Sequence, residues 1–361
     1  MNLVYVIGTL SNGGAEAIVR MLALESSKKY NYKIKVVVFN SYNGKTNINI
    51  LKNNNIEVIV LSENFTYNPL FIIKLRKILK DADLVHTHLF PAFYFIVFAS
   101  IRLNIKKVYT EHCTLNRRSK TFFFRNFDKI IYKRYDLIIS ISSEVTNFLK
   151  TNYISIPSHK LIQILNAVDT DSFKDVEQYH REIIGLCESD FIVTQVSGFR
   201  PQKDQITAIK AFSRLPERFK LIFCGDGTEL SKCKTLAVDL GLEKRIFFLG
   251  NRSDVAKILK MSNVSLLSTH YEGMPLSLLE SFASKRLVVA SNVPGVRELV
   301  INRGLLFEKS NDIELSKILL QVEASSNKFQ EFVDSAFDFV EKGSYETFLN
   351  NHFNLYQRLI S

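Results

Sequence analysis

The sequence predicts an α/β protein made of two doubly wound, Rossmann-like halves that face each other across a cleft. Three observations carry this. The chain has 361 residues, beyond the size at which a single hydrophobic core keeps growing. Short apolar runs alternate with helical periodicity from end to end, the signature of a mainly parallel sheet with crossover helices. A polar, turn-rich segment, Asn166 to Asp171, then interrupts the pattern, which restarts beyond it. The linker is placed at about 166–182.

In the first half, Leu3–Ile7 is a short apolar run bounded by Gly8, and so reads as a buried strand. The loop Thr9 to Gly14 leads into a helical pattern over Ala15–Ser27. Strands follow at Ile34–Phe39 and Glu57–Leu61, then a helix at Leu70–Leu79 and a strand at Leu84–Thr87. A helix over Pro91–Arg102, a strand over Lys107–Thr110 and a helix over Thr121–Arg134 come next. Strand Leu137–Ser140, helix Ser143–Lys150 and a strand within Lys160–Leu165 complete that half.

The second half opens with strand Phe191–Ser197 and helix Asp204–Leu215. Strands Lys220–Cys224, Arg245–Leu249 and Asn263–Leu267 alternate with helices at Glu229–Asp239 and Asp254–Met261. The stretch Ser268 to Leu299 reads as tight loop, helix and strand, with the strand at Leu287–Ala290. Gly304–Phe307 is a last strand, and from Asn311 the pattern is helical through Ile360. Ligands of open α/β sheets bind at the carboxyl ends of the strands, so that is where functional residues are sought.

The net charge of +11 is unevenly placed: residues 1–170 hold 23 Lys/Arg against 11 Asp/Glu, and residues 171–361 hold 24 against 25. All of the excess therefore lies in the first half, which points to an anionic partner there. The four cysteines show no CxxC spacing, so neither a zinc site nor a disulfide framework is expected, and a cytoplasmic location fits. The most apolar stretch, Leu89 to Ile101, is too short to span a bilayer.

Chemistry concentrates in a few places. Glu272 and Glu280 flank a Gly273-Met274-Pro275 turn and the start of a helix at Leu276. A carboxylate accepts two hydrogen bonds from a vicinal diol, and a helix N-terminus favours phosphate. Gly13-Gly14 opens the first helix and permits close backbone approach to a phosphate or sugar. It lacks the G-x-G-x-x-G spacing of a dinucleotide site. His112 ends a strand, while His86 and His88 share a strand face without a third metal ligand nearby. His88 is expected to line the cleft and His86 to be structural.

Cations interleave with aromatics from Arg117 to Arg134, which suits an interfacial helix on anionic lipid. Single-stranded nucleic acid can stack on such a stretch, yet no nucleic-acid module accompanies it. A helix that buries its Phe stripe gives the same pattern. Phe71, Ile72, Lys74, Arg76 and Lys77 form a second, weaker stretch of this kind.

The segment Glu272 through Glu280, together with Ser291-Asn292-Val293-Pro294-Gly295, resembles the glutamate-x7-glutamate region of retaining, GT-B-fold glycosyltransferases of family 4. The likeness extends over nearly the whole chain from Gly13-Gly14. It implies a GT-B fold with domains at 1–168 (acceptor) and 169–340 (nucleotide sugar), and with a C-terminal helix, 341–361, crossing back to the first. It also implies that Glu280 holds the nucleotide ribose and Glu272 the transferred sugar, with Gly273, Met274, Pro275 and Leu276 cradling sugar and phosphate. His112 is expected beside the donor sugar, with His88 and Gly14 on the acceptor side. Gly13 and Gly14 are placed near the diphosphate, and Asn251 and Arg252 at the nucleobase, with the Gly225–Gly227 loop close by.

Ser197 to Asp204 resembles the family's phosphate-binding loop, with Lys203 matching its lysine. The family's arginine position falls on Gly198, and Arg200 is the nearest substitute. The implied activity is transfer of a hexose or N-acetylhexosamine from a UDP-linked sugar. The implied acceptor is a lipid-linked or polysaccharide chain in bacterial surface glycan synthesis (capsule, O-antigen or lipopolysaccharide). No metal or other cofactor is expected, and no nucleic-acid partner. Peripheral association with the inner face of the membrane, through 117–134, is expected. The rival expectations are a GT-B-like sugar-nucleotide epimerase or hydrolase, and a non-catalytic basic module that binds membrane or nucleic acid.

Overall fold

The structure is a computed structural model and describes residues 1–42, 44–63, 65–114, 121–153 and 156–361. The chain divides into two compact units, Met1–Asn166 with Glu346–Ser361, and Ala167–Tyr345.

The first unit holds strands β1 (Asn2–Ile7), β2 (Lys33–Asn40), β3 (Glu57–Ser62), β4 (Leu84–His88), β5 (Lys106–Glu111), β6 (Leu137–Ser140) and β7 (Leu161–Gln163). They form one parallel sheet in the order β3-β2-β1-β4-β5-β6-β7. The central strands β1 and β4 are almost wholly buried because helices cover both sides of the sheet. The order reverses between β1 and β4, where Tyr5 pairs with His86 and Val6 with Thr87. At such a switch point the flanking loops part and leave a crevice at the carboxyl ends.

The last helix, Tyr345–Ile360, packs on this unit. Phe353 packs against Tyr30 in a tilted pair with ring centroids 4.1 Å apart, and Lys29 pairs with Glu346 at 2.6 Å.

The helix Lys45–Asn53 between β2 and β3 has no counterpart in the sequence reading. Its nine residues include three asparagines, two isoleucines and a threonine, all indifferent helix formers. It forms because Ile48 and Leu51 bury against the sheet and Asn47 finds backbone partners. The strand expected within Lys160–Leu165 shortens to Leu161–Gln163 at the sheet edge.

The second unit holds β8 (Phe191–Val196), β9 (Phe219–Cys224), β10 (Ile246–Phe248), β11 (Val264–Leu267), β12 (Leu287–Ser291) and β13 (Gly304–Phe307). Again the sheet is parallel, in the order β10-β9-β8-β11-β12-β13, with its reversal between β8 and β11. Phe199, Phe212, Phe219 and Phe223 fill its core. The stretch expected as a plain linker at 166–182 contains a helical turn, Asp171–Lys174, because Phe173 buries its ring.

Candidate functional site

In each unit the predicted residues lie in loops at the carboxyl ends of the strands, some at the switch point and others on neighbouring strands. In the first unit the loop after β1 meets the helix Gly14–Tyr30, with Gly13 at the N-cap position. A Cβ on Gly13 would stand 2.2 Å from Glu16 Oε2, so any larger residue there would have to displace that carboxylate. The Glu16 carboxylate, buried in the first helical turn, accepts from Ser11 Oγ at 3.0 Å. Asn47 fixes the loop from outside, donating to the Leu10 and Ser11 carbonyls at 2.8 and 3.1 Å. Neither Glu16 nor Asn47 was singled out by sequence reasoning.

His112 follows β5 and is partly exposed. Its Nε2 lies 3.0 Å from Nδ1 of His88, the last residue of β4. His88 is fully buried. β4 is a central strand of the sheet, and His88 addresses His112 from within the first unit. His86 is buried as expected, with Nδ1 on Tyr356 at 2.7 Å and Nε2 on Thr110 at 2.7 Å.

Burial, reinforced by neighbouring imidazoles, pushes His86 and His88 well below the ordinary 6.5. His112 falls to about 3 by burial and then by His352. Burial brings His352 down to about 4, against its hydrogen bond to the Phe348 carbonyl, which raises it. All four rings are neutral near pH 7.

Glu111, which sequence reading passed over for its neighbour, organises this strand end. Its Oε1 accepts from the backbone N–H groups of His112 and Cys113 at 3.1 and 3.3 Å. Its Oε2 accepts from Tyr132 and Tyr109 hydroxyls at 2.7 and 3.3 Å. A buried carboxylate persists only with such a donor set. The signal was present in the sequence: a lone carboxylate at the carboxyl end of a strand.

In the second unit, the loop after β8 and the loop after β11 lie on adjacent strands. Lys203 Nζ meets Glu272 Oε1 at 2.6 Å, with the side chains only 18% and 8% exposed. Thr269 Oγ1 donates to the same oxygen at 2.9 Å. Gln202 binds across the loops, its Nε2 donating to the Tyr271 carbonyl at 2.6 Å and its own carbonyl accepting from His270 N–H at 2.8 Å. Gln195, a polar residue in an apolar strand, donates to the Lys203 and Ser268 carbonyls at 3.1 and 3.3 Å. These polar clamps were missed because their partners are distant in sequence.

Gly273, Met274 and Pro275 are buried beside the pair, and the helix Leu276–Ala283 starts there with Pro275 at its N-cap. Glu280 is half-buried in that helix. Gly295 (φ +79°) presses its backbone on this turn, and a Cβ there would stand 2.3 Å from the Glu272 carbonyl oxygen. Gly225 and Gly227 likewise admit the Ser197 and Phe199 carbonyls at distances no Cβ tolerates. Arg200 is exposed, and its Nε lies 3.8 Å from where a Cβ on Gly198 would stand. Arg252 forms a two-pronged pair with Asp254 at 2.8 and 2.6 Å and stacks over Tyr179, while Asn251 is exposed.

With this geometry in place, two family models match the chain. Glycosyltransferase Family 4 covers residues 12–172, and Glycosyl transferases group 1 covers residues 176–338. The chain belongs to the GT-B glycosyltransferases of family 4.

This family-4 chain is 29% identical to N-acetyl-alpha-D-glucosaminyl L-malate synthase of Bacillus anthracis, over 46% of its own length and 44% of the relative. It is also 29% identical to UDP-Gal:alpha-D-GlcNAc-diphosphoundecaprenol alpha-1,3-galactosyltransferase of Escherichia coli, over 67% of each chain. It thus spans 44% and 67% of the lengths of these two relatives. Among solved structures, Anabaena HepE in complex with UDP and glucose matches with a TM-score of 0.86 at 20% identity, over 99% of both chains. That likeness concerns the fold.

Among the described residues, no helix of the family-4 chain is long and apolar enough to cross a membrane. The predicted interfacial stretch is described only from Thr121, and residues 117–120 lie outside the described residues. Its helix, Phe122–Lys133, leaves Phe122, Phe124 and Ile130 76%, 46% and 56% exposed. Phe127 instead packs beside Tyr94 and Phe98.

Proposed function

We propose that this chain is a retaining glycosyltransferase that moves a hexose or N-acetylhexosamine from a UDP-linked sugar to a lipid-linked or polysaccharide acceptor. The observation that carries the reading is the Lys203–Glu272 pair at the second switch point, beside the start of the Leu276–Ala283 helix. It sets a cation, a carboxylate and a helix N-terminus around one small volume. A diphosphate answers the first and last, and sugar hydroxyls answer the second. The relative that uses UDP-Gal with a diphosphoundecaprenol acceptor, and the UDP and glucose bound by the Anabaena protein, support this choice of donor and acceptor.

In this reading Lys203 and Arg200 stabilise the departing diphosphate. Arg200 fills the role vacated at Gly198, its Nε standing beside the missing side chain. Glu280 accepts from the ribose, while Glu272 and His112 hold the transferred sugar. The bond from the anomeric carbon to phosphate breaks as the acceptor hydroxyl attacks on the same face. The leaving phosphate takes the acceptor's proton. No metal is required, since protein cations and the helix N-terminus supply the electrostatics. Peripheral membrane attachment follows from the exposed apolar residues of helix Phe122–Lys133 and the basic excess of the first half.

The test is thermal-shift screening against UDP-, GDP-, ADP- and CMP-sugars, followed by transfer assays with lipid-linked acceptors in the presence of EDTA. Stabilisation by UDP-sugars that Glu280→Ala abolishes is expected, together with transfer that retains anomeric configuration. Consumption of donor without a glycosidic product would instead mark an epimerase or hydrolase. No response to any nucleotide sugar would overturn the reading.

A further inference from the structure

The four histidines at the centre of the first unit are a connected set. His86 and His88 have ring centroids 4.1 Å apart, His88 and His112 5.3 Å, and His86 and His352 6.0 Å. All are neutral near pH 7, so each ring carries one N–H and one bare nitrogen. The 3.0 Å contact between His88 Nδ1 and His112 Nε2 therefore has a single proton between them, and two arrangements satisfy it.

The far nitrogen of His88 decides between them. Nε2 is buried and has no hydrogen-bond partner. If His112 donated, His88 Nδ1 would be the acceptor and its proton would sit on Nε2, leaving an orphaned N–H in the core. If His88 donates from Nδ1, the orphan is only a lone pair. Buried donors without acceptors are the rarer defect, because an under-used acceptor is better tolerated than an unpaired N–H.

We infer that His88 is a positioning residue that holds His112 with its proton on Nδ1, so that His112 meets its ligand as a hydrogen-bond donor and not as a base. The ligand half of this statement rests on the proposed function; the tautomer half does not. The backbone of His112 is fixed independently by Glu111, which leaves the ring proton as the variable that His88 sets. A donor at this position addresses a sugar oxygen and leaves the acceptor's proton to the departing phosphate.

The experiment is two-bond proton–nitrogen NMR on the full chain labelled with 15N-histidine, with His112 assigned by the loss of its signals in His112→Asn. The expected pattern is a protonated Nδ1 and a bare Nε2 on His112, and a protonated Nδ1 on His88. A protonated Nε2 on His112 overturns the inference.

His88→Leu, which removes the donor, should convert His112 to a mixture of tautomers. His88→Asn places an amide N–H near the former Nδ1 and should restore the wild-type pattern. With UDP-glucose as the probe, His88→Leu should lower kcat severalfold, by no more than the loss of His112 itself, while leaving UDP affinity within twofold, and His88→Asn should recover most of the loss. Equal behaviour of the two variants overturns the positioning role. If UDP-glucose is not turned over at all, the proposed function fails on that donor while the NMR pattern still decides the tautomer.

Discussion

The two switch points are built on the same sheet plan but from opposite electrostatics. In the first unit the strand ends carry neutral imidazoles stripped of charge by burial, with two buried carboxylates already engaged by the protein, Glu111 by backbone N–H groups and tyrosines and Glu16 by Ser11. In the second unit a lysine and a glutamate meet at 2.6 Å beside a helix N-terminus. Under the proposed function, this difference divides the labour between the two sites. A neutral donor can shape a sugar or an incoming hydroxyl without attracting an anion, whereas the charged pair can bind and release diphosphate.

The largest expected effect separates these roles. Lys203→Ala should lower kcat/KM with a UDP-sugar by roughly 10²–10³-fold, the scale of one removed electrostatic donor at a developing charge. His112→Asn, which loses one neutral hydrogen bond, should cost only about tenfold. Equal losses in steady-state assays would erase the division between the two sites.

Acid should act on the first unit. The folded-state pKa of His112 is about 3 and that of His352 about 4, against an ordinary 6.5, and His86 and His88 are depressed as well. Below about pH 6.5 the unfolded chain binds protons that the folded rings refuse, so stability is held above that value and lost as pH falls. Each buried histidine adds a slope of about 1.4 kcal/mol per pH unit within its window. Urea melts between pH 7 and pH 4 measure it. A stability flat across that range would show the rings accepting protons in the folded state.

Gly295→Ala tests the second site through its backbone. The left-handed φ and the 2.3 Å approach to the Glu272 carbonyl leave no room for a methyl group. A loss of about 1–3 kcal/mol in thermal stability is expected, along with weakened UDP-sugar binding. Wild-type binding in the variant would separate this loop from the donor site.

The smallest effect concerns the outer surface of the first unit. Reversing Lys133 and Arg134 to glutamate should cut co-sedimentation with anionic vesicles, at about 1 kcal/mol per charge near the surface. The melting temperature should not change, since both residues are exposed. Unchanged sedimentation would show that this helix does not bind lipid.

Much of the fold was legible because buried parallel strands read as short apolar runs wherever they occur. The Glu272–Glu280 segment was legible because loop glycines, a proline and a helix start leave a local signature. The helix Lys45–Asn53 was not, since its stability comes from Ile48, Leu51 and Asn47 finding partners elsewhere. Gln195, Gln202 and Thr269 hold the Lys203–Glu272 pair across loops separated by about seventy positions, and no local pattern announces that. Gly198 posed a different problem: the motif showed an arginine missing, and only coordinates could show that Arg200 reaches to within 3.8 Å of the vacant position.

The alternation of strands and helices and the uneven charge are legible in the sequence alone, because these depend on local periodicity and composition. Tertiary structure decided that His88 stands behind His112, out of reach of solvent, and that Lys203 is committed to Glu272. Both outcomes depend on which strands become neighbours in the sheet. That is set by the packing of whole sheets, and no stretch of sequence records it.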